Sequence, residues 1–185
     1  AWPQTLMMVF HFLIGFVDVY VAGQIGDSVQ AALGMITQTL LFFLIIAIAL
    51  ANGSVSAVSQ SLGAGKPQRA VRYVTMVITL VLMASILLAA LAFPLRGLLL
   101  DLLHTPPAIR GLTEDFLCIY LILLPVYYLL VVSNAVFRAQ KQVHIPLLSM
   151  IVVTALNTWA DFGLCFGIFG LPQLGAMGLA WATLI

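Results

Sequence analysis

The stretch Leu40-Leu-Phe-Phe-Leu-Ile-Ile-Ala-Ile-Ala-Leu-Ala51 decides the fold class. It lies inside a longer run, residues 29–59, that contains no Asp, Glu, Lys or Arg. The hydrocarbon core of a bilayer is crossed by about 20 consecutive apolar residues in a helix. A barrel strand needs only about 9–11, alternating with period two, and no such alternation is present here. The run therefore reads as a membrane-spanning helix, long enough to include a bend or an interfacial turn.

Working outward, the same scale gives six spans: 5–22, 29–59, 71–93, 116–139, 143–169 and a truncated 175–185. Polar breaks separate them. Gly23-Gln-Ile-Gly-Asp27 is a short turn, and Ser61-Leu-Gly-Ala-Gly-Lys-Pro67 supplies helix-stop chemistry. Pro94 closes the third span, and a polar stretch, 96–115, follows it. Residues 138–142 and 170–173 form the remaining breaks. The apolar run at the chain end leads to the expectation that the sequence is a piece of a longer protein.

Composition agrees with this reading. Of 185 residues, 63% are hydrophobic and 7% charged, and the mean hydropathy is +1.17. Soluble domains carry about 25% charged residues, because they need a solvated surface. The net charge of +1 matters less than its distribution. Lys66, Arg69, Arg72, Arg138 and Lys141 follow the even-numbered spans, whereas Arg96 and Arg110 follow odd ones, offset by Asp27, Asp101, Glu114 and Asp115. Lys and Arg stay on the cytoplasmic side, so the N-terminus is expected there, in a multi-pass protein of the inner (plasma) membrane.

Two carboxylates fall inside spans, Asp18 and Asp161. An acid at helix centre costs about 2.5–3.5 kcal/mol on insertion scales and is tolerated beside a cavity or a partner. Asp18 follows Pro3 by about 15 residues, as Asp161 follows Pro146, so each sits roughly 22 Å along its helix. Asn157 precedes Asp161 by one turn and shares its face. A carboxylate beside an amide can hold a proton or ligate a small cation through oxygen, so sodium at Asp161 and Asn157 is one reading of the site. No firm metal site is expected. His11 lies two turns before Asp18, either as a proton relay or as a packing residue.

Other features carry structure rather than chemistry. Cys118 and Cys165 show no ligand spacing and read as packing residues. Gly63-Ala-Gly-Lys-Pro67 fails as a phosphate loop: Gln60 stands where the first Gly belongs, and Pro67 where Ser or Thr must be. Lys66, Arg69 and Arg72 are better read as a cytoplasmic anchor. Asn52-Gly53-Ser54 and Gly175-x-x-Gly178 suit close helix packing, and Pro125 should kink or break the fourth span. No HExxH, GxSxG or DNA-sized basic patch occurs, so neither an intramembrane enzyme nor a nucleic-acid partner is expected.

The sequence resembles the MATE family of multidrug and toxic compound extrusion antiporters. The resemblance rests on Asp18-Val-Tyr-Val-Ala-Gly-Gln-Ile-Gly-Asp-Ser-Val-Gln-Ala-Ala32 and Val58-Ser-Gln-Ser-Leu-Gly-Ala-Gly-Lys66. Phe137-Arg-Ala-Gln140 with Pro146, Asn157-x-x-x-Asp161 and Gly175-x-x-Gly178-x-x-x-Ala-Thr183 follow in order. Lys141 departs from it, since relatives often have Gly after the Arg-x-Gln. The resemblance implies an all-α integral membrane protein of twelve helices in two lobes, of which this chain is the N-terminal six-helix lobe. It implies alternating-access export of organic cations, drugs or other amphipaths, coupled to proton or sodium, with no further cofactor. The coupling residues would be Asp161, Asp18, Asn157 and Thr183. The partners would be a small amphipathic substrate, the bilayer and the C-terminal lobe. Two rival readings are a lipid-precursor flippase of the same superfamily, which would need a cavity lined by Arg or Lys, and a non-transporting membrane scaffold, which leaves the matched acids unexplained.

Overall fold

The computed structural model describes residues 2–183. It is helical throughout, and no strand occurs among the described residues. Helix α1 spans Trp2–Ile25 and α2 spans Asp27–Gly63, with Gly26 alone between them. Next come α3 (Pro67–Ala92), α4 (Arg96–Leu102) and α5 (Pro107–Ala139). Helix α6 (His144–Phe166) leads through a 3₁₀ turn, Ile168–Gly170, to α7 (Ala176–Ala182). Five of these, α1, α2, α3, α5 and α6, are long and apolar enough to cross a membrane. The sixth expected span corresponds to α7 as far as Thr183; residues 184 and 185 lie outside the described residues.

The helices extend beyond the apolar runs because their ends are closed by specific chemistry. Helix α2 is one uninterrupted helix of 37 residues, with no interfacial turn within it, since nothing between 29 and 59 removes a backbone donor. It stops at Gly65, whose φ of 67° lets Lys66 N–H reach Ser61 O at 3.0 Å. Pro67 and Pro107 open α3 and α5, at the position where a missing N–H costs nothing. Gly167, with φ 70°, ends α6 at Phe166 rather than at residue 169.

The stretch 96–115 is not a loop. It folds into α4 and the first turns of α5, because Leu100 is fully buried while Arg96 and Asp101 turn outward. Arg96 pairs with Glu114 at 2.8 Å, and Arg110 pairs with Asp101. Pro125 does not break α5, which continues through it. Its missing N–H leaves the Leu121 carbonyl without its helical donor.

In the packing, α2 runs along α5 and α3 covers both, while α1 lies along α6 and α7 closes on α6. A cluster around Ala47, Val81, Leu124 and Tyr128 joins α2, α3 and α5. Within it the Tyr128 hydroxyl donates to Phe43 O on α2. Outward-facing Phe42, Met83, Leu87 and Ile122 are all at least 60% exposed, as expected where the surrounding solvent is lipid.

Candidate functional site

Helices α1 and α6 start at the same end of the bundle. The rings of Trp2 and His144 lie there 6.5 Å apart, and Pro3 and Pro146 are both buried nearby. The helices are therefore parallel, and equal distances along them arrive at equal depth. Asp18 and Asp161 meet there, each within electrostatic reach of the other.

Burial is greatest on the α6 side, while Asp18 on α1 is half-buried. Asp161 is completely buried and Asn157, one turn before it, is 3% exposed. Among the described residues no hydrogen-bond partner reaches Asp18 Oδ1, Asn157 Oδ1 or either oxygen of Asp161. Buried polar groups are nearly always paired, and a buried carboxylate without a donor is among the costliest cases. A proton shared by the pair, or a small cation set among these oxygens, removes that cost. The donors are all hard oxygens, which suits a monovalent cation or a proton better than a thiophilic metal. Among the described residues no group of three His, Cys, Asp or Glu converges to hold a metal ion.

Tyr120 on α5 was not singled out in the sequence. It sits close enough to Asp18 and Asp161 to feel both charges. Its hydroxyl lies 3.3 Å from Thr183 Oγ1, and Thr183 in turn donates to Leu179 O at 3.1 Å. The Thr183 proton being engaged, Tyr120 is the donor between the two hydroxyls. Thr183 thus joins the site through Tyr120 rather than by burial, since it is exposed at the end of α7. Its position depends on Gly178: a Cβ there would stand 2.8 Å from Cys165 N and from Leu164 C, backbone atoms of α6 that cannot step aside. His11 is exposed and is not gathered in with the carboxylates. Cys118 and Cys165 are free thiols.

A family profile, MatE, matches residues 3–162. The chain belongs to the MatE family. Members of this family are transporters, not enzymes. The chain is 24% identical over its whole length to the "Uncharacterized transporter YisQ" of Bacillus subtilis, covering 41% of that protein. It is equally similar, 24% over all of the chain and 40% of the relative, to the "Probable multidrug resistance protein NorM" of Thermotoga maritima. The like-named protein of Rhizobium meliloti is 29% identical over 92% of the chain and 36% of its own length. A solved outward-facing MATE family transporter of the MOP superfamily superposes with a TM-score of 0.90 at 20% identity. That superposition covers 98% of this chain and 40% of the solved one. A MOP superfamily transporter from Pyrococcus furiosus gives the same TM-score, 0.90, over 39% of its length. The chain thus spans about two-fifths of the length of the relatives it matches, and its fold is that of one lobe of a MatE transporter.

Proposed function

We propose that this chain is the N-terminal lobe of a cation-coupled antiporter that exports organic cations, drugs or other amphipaths. The facing pair of Asp18 and Asp161, in which Asp18 Oδ1 and both Asp161 oxygens have no donor, carries the reading. With Asp161 fully buried and Asp18 half-buried beside it, two like charges are stabilised by a proton or cation between them, so loading and unloading that ion changes the free energy of the α1–α6 contact. Asp161 is the principal coupling group, Asp18 its partner, Asn157 an orienting oxygen, and Thr183 with Tyr120 the outer edge of the site. Alternating access follows if ion and substrate favour different states of the two lobes. The multidrug names of the relatives support the substrate class.

Two measurements test this. The full-length protein in proteoliposomes should expel a fluorescent organic cation when an inward proton or sodium gradient is imposed, and retain it when neither is. In a cysteine-free background, a cysteine at Gln142 should react with an impermeant reagent from the cytoplasmic side, and one at Gln24 from outside. The reverse pattern inverts the orientation expected from the Lys and Arg asymmetry.

A further inference from the structure

Where α2 gives way to α3, the surface forms an open hollow of about 510 Å³ lined by Gly65, Lys66, Pro67, Gln68, Arg69 and Arg72. Val58, Ala70 and Ala139 pack together beside it, and Ser59 Oγ donates to Ala139 O at 3.4 Å. The end of α5 is thereby fixed at the same end of the bundle, bringing Arg138 and Lys141. These five residues are most of the 7 Lys and Arg in the chain.

No carboxylate shares that end. Asp18 and Asp161 lie in the α1–α6 contact, Asp27 starts α2 at its opposite end, and Asp101, Glu114 and Asp115 belong to α4 and the start of α5. The two ion pairs among the described residues use Arg96 and Arg110. Arg69 is held in place by Tyr73, donating to its hydroxyl at 3.0 Å with the guanidinium 5.5 Å from the ring centroid. That contact orients the cation without neutralising it.

Beneath the cations runs an apolar face. From Arg72, steps of three or four residues along α3 reach Met76, Leu80, Met83, Leu87 and Leu91, which are 58%, 44%, 64%, 60% and 54% exposed. Such steps lie on one side of a helix. A soluble anion would match the cations and leave the stripe unexplained, while a neutral lipid would match the stripe alone. We propose that the Lys66–Arg69–Arg72 hollow binds the phosphate headgroup of an anionic phospholipid, with one acyl chain along the exposed face of α3. Clustered Lys and Arg at a membrane boundary attract anionic headgroups in this way. The inference stands on the fold alone, apart from coupled transport and from the orientation of the lobe.

Native mass spectrometry of the full-length protein, titrated with dioleoyl phosphatidylglycerol or dioleoyl phosphatidylcholine, tests it. The wild type should hold the glycerol lipid at least about tenfold more tightly. Lys66→Gln/Arg69→Gln/Arg72→Gln should bring the two lipids to within about twofold. Arg96→Gln at the opposite end should leave the preference intact. Arg69→Lys/Arg72→Lys keeps the charge and should keep the preference, which separates lost charge from lost fold. Equal retention of both lipids by the wild type, or an unchanged preference in the triple variant, overturns the proposal. Displacement of the glycerol lipid by millimolar inorganic phosphate also overturns it, as a free-anion site.

Discussion

Tyr120 on α5 and Thr183 at the end of α7 are joined hydroxyl to hydroxyl at 3.3 Å, although 63 residues separate them. Four helices come together around this bond, since Tyr120 also lies within electrostatic reach of the carboxyls of α1 and α6. Tyr120→Phe keeps the ring and deletes the donor. Efflux should fall about threefold to tenfold, with a loss of about 1 kcal/mol or less in stability. Transport assays beside thermal melting check this, and unchanged efflux would remove Tyr120 from the site.

Asp161→Asn keeps shape and removes the titratable charge. Gradient-driven efflux should be abolished while folding and much of the substrate binding persist. Asp18→Asn should impair efflux as well, and because the two groups act as a pair the double variant should be little worse than Asp161→Asn alone. Parallel assays under imposed proton and sodium gradients identify the ion. Undiminished efflux by Asp161→Asn under both gradients would place coupling elsewhere.

Gly178→Ala forces a methyl group against the α6 backbone, 2.8 Å from Cys165 N. The helices must separate, at a cost of about 1–3 kcal/mol. Thermal melting should show the loss, and efflux should fall because Thr183 moves with α7. A neutral melting temperature would mean that α6 and α7 are less tightly apposed.

Lys141 holds a φ of 60°, closing α5 with Gln142 N–H bonded to Phe137 O at 3.0 Å. A side chain in the left-handed region costs about 1 kcal/mol or more. Lys141→Gly should therefore raise stability by roughly 0.5–1 kcal/mol, visible as a higher melting temperature. Destabilisation would show that the lysine side chain contributes more than its backbone costs.

Asp101 accepts a hydrogen bond from Arg110, which holds its carboxyl below the usual carboxylate range. A lowered folded-state value stabilises the fold above the unfolded value of about 3.9 and loses that contribution as pH falls through the folded one. The melting difference between wild type and Asp101→Asn should be small at neutral pH, because the pair is exposed, and should vanish in acid. A difference that grows on acidification contradicts the assignment.

Legibility in the sequence followed the length of the signal. The spans were readable because a run as long as 29–59 without a charge has one solution in lipid, and Asp18 and Asp161 stood out because charges there are rare. Helix α4 escaped because seven residues with a charge near each end fall below any membrane-length window. Its helicity depends on Leu100 finding the core and on pairing to α5. Tyr120 escaped because a tyrosine in an apolar run ordinarily packs, as Tyr128 does. Its role depends on where α7 returns, which no spacing within α5 encodes. The positive φ at Lys141 was foreshadowed only by its departure from the glycine that the family resemblance leads one to expect there.

The length of α2 has a mechanical consequence. A rod of 37 residues is about 55 Å long, against a hydrocarbon thickness of about 30 Å, so it leans or projects at both faces. Tyr128 grips it at Phe43, close to its midpoint. It is held again near its far end, where Ser59 Oγ donates to Ala139 O on α5, so one continuous helix carries anchor points at two depths. The Gly26 end is coupled without slack to α1 and so to Asp18, and the far end carries the Gly65 turn. Any displacement of α2 along its length would therefore be felt at both faces of the membrane, through α1 at one end and through the ends of α3 and α5 at the other.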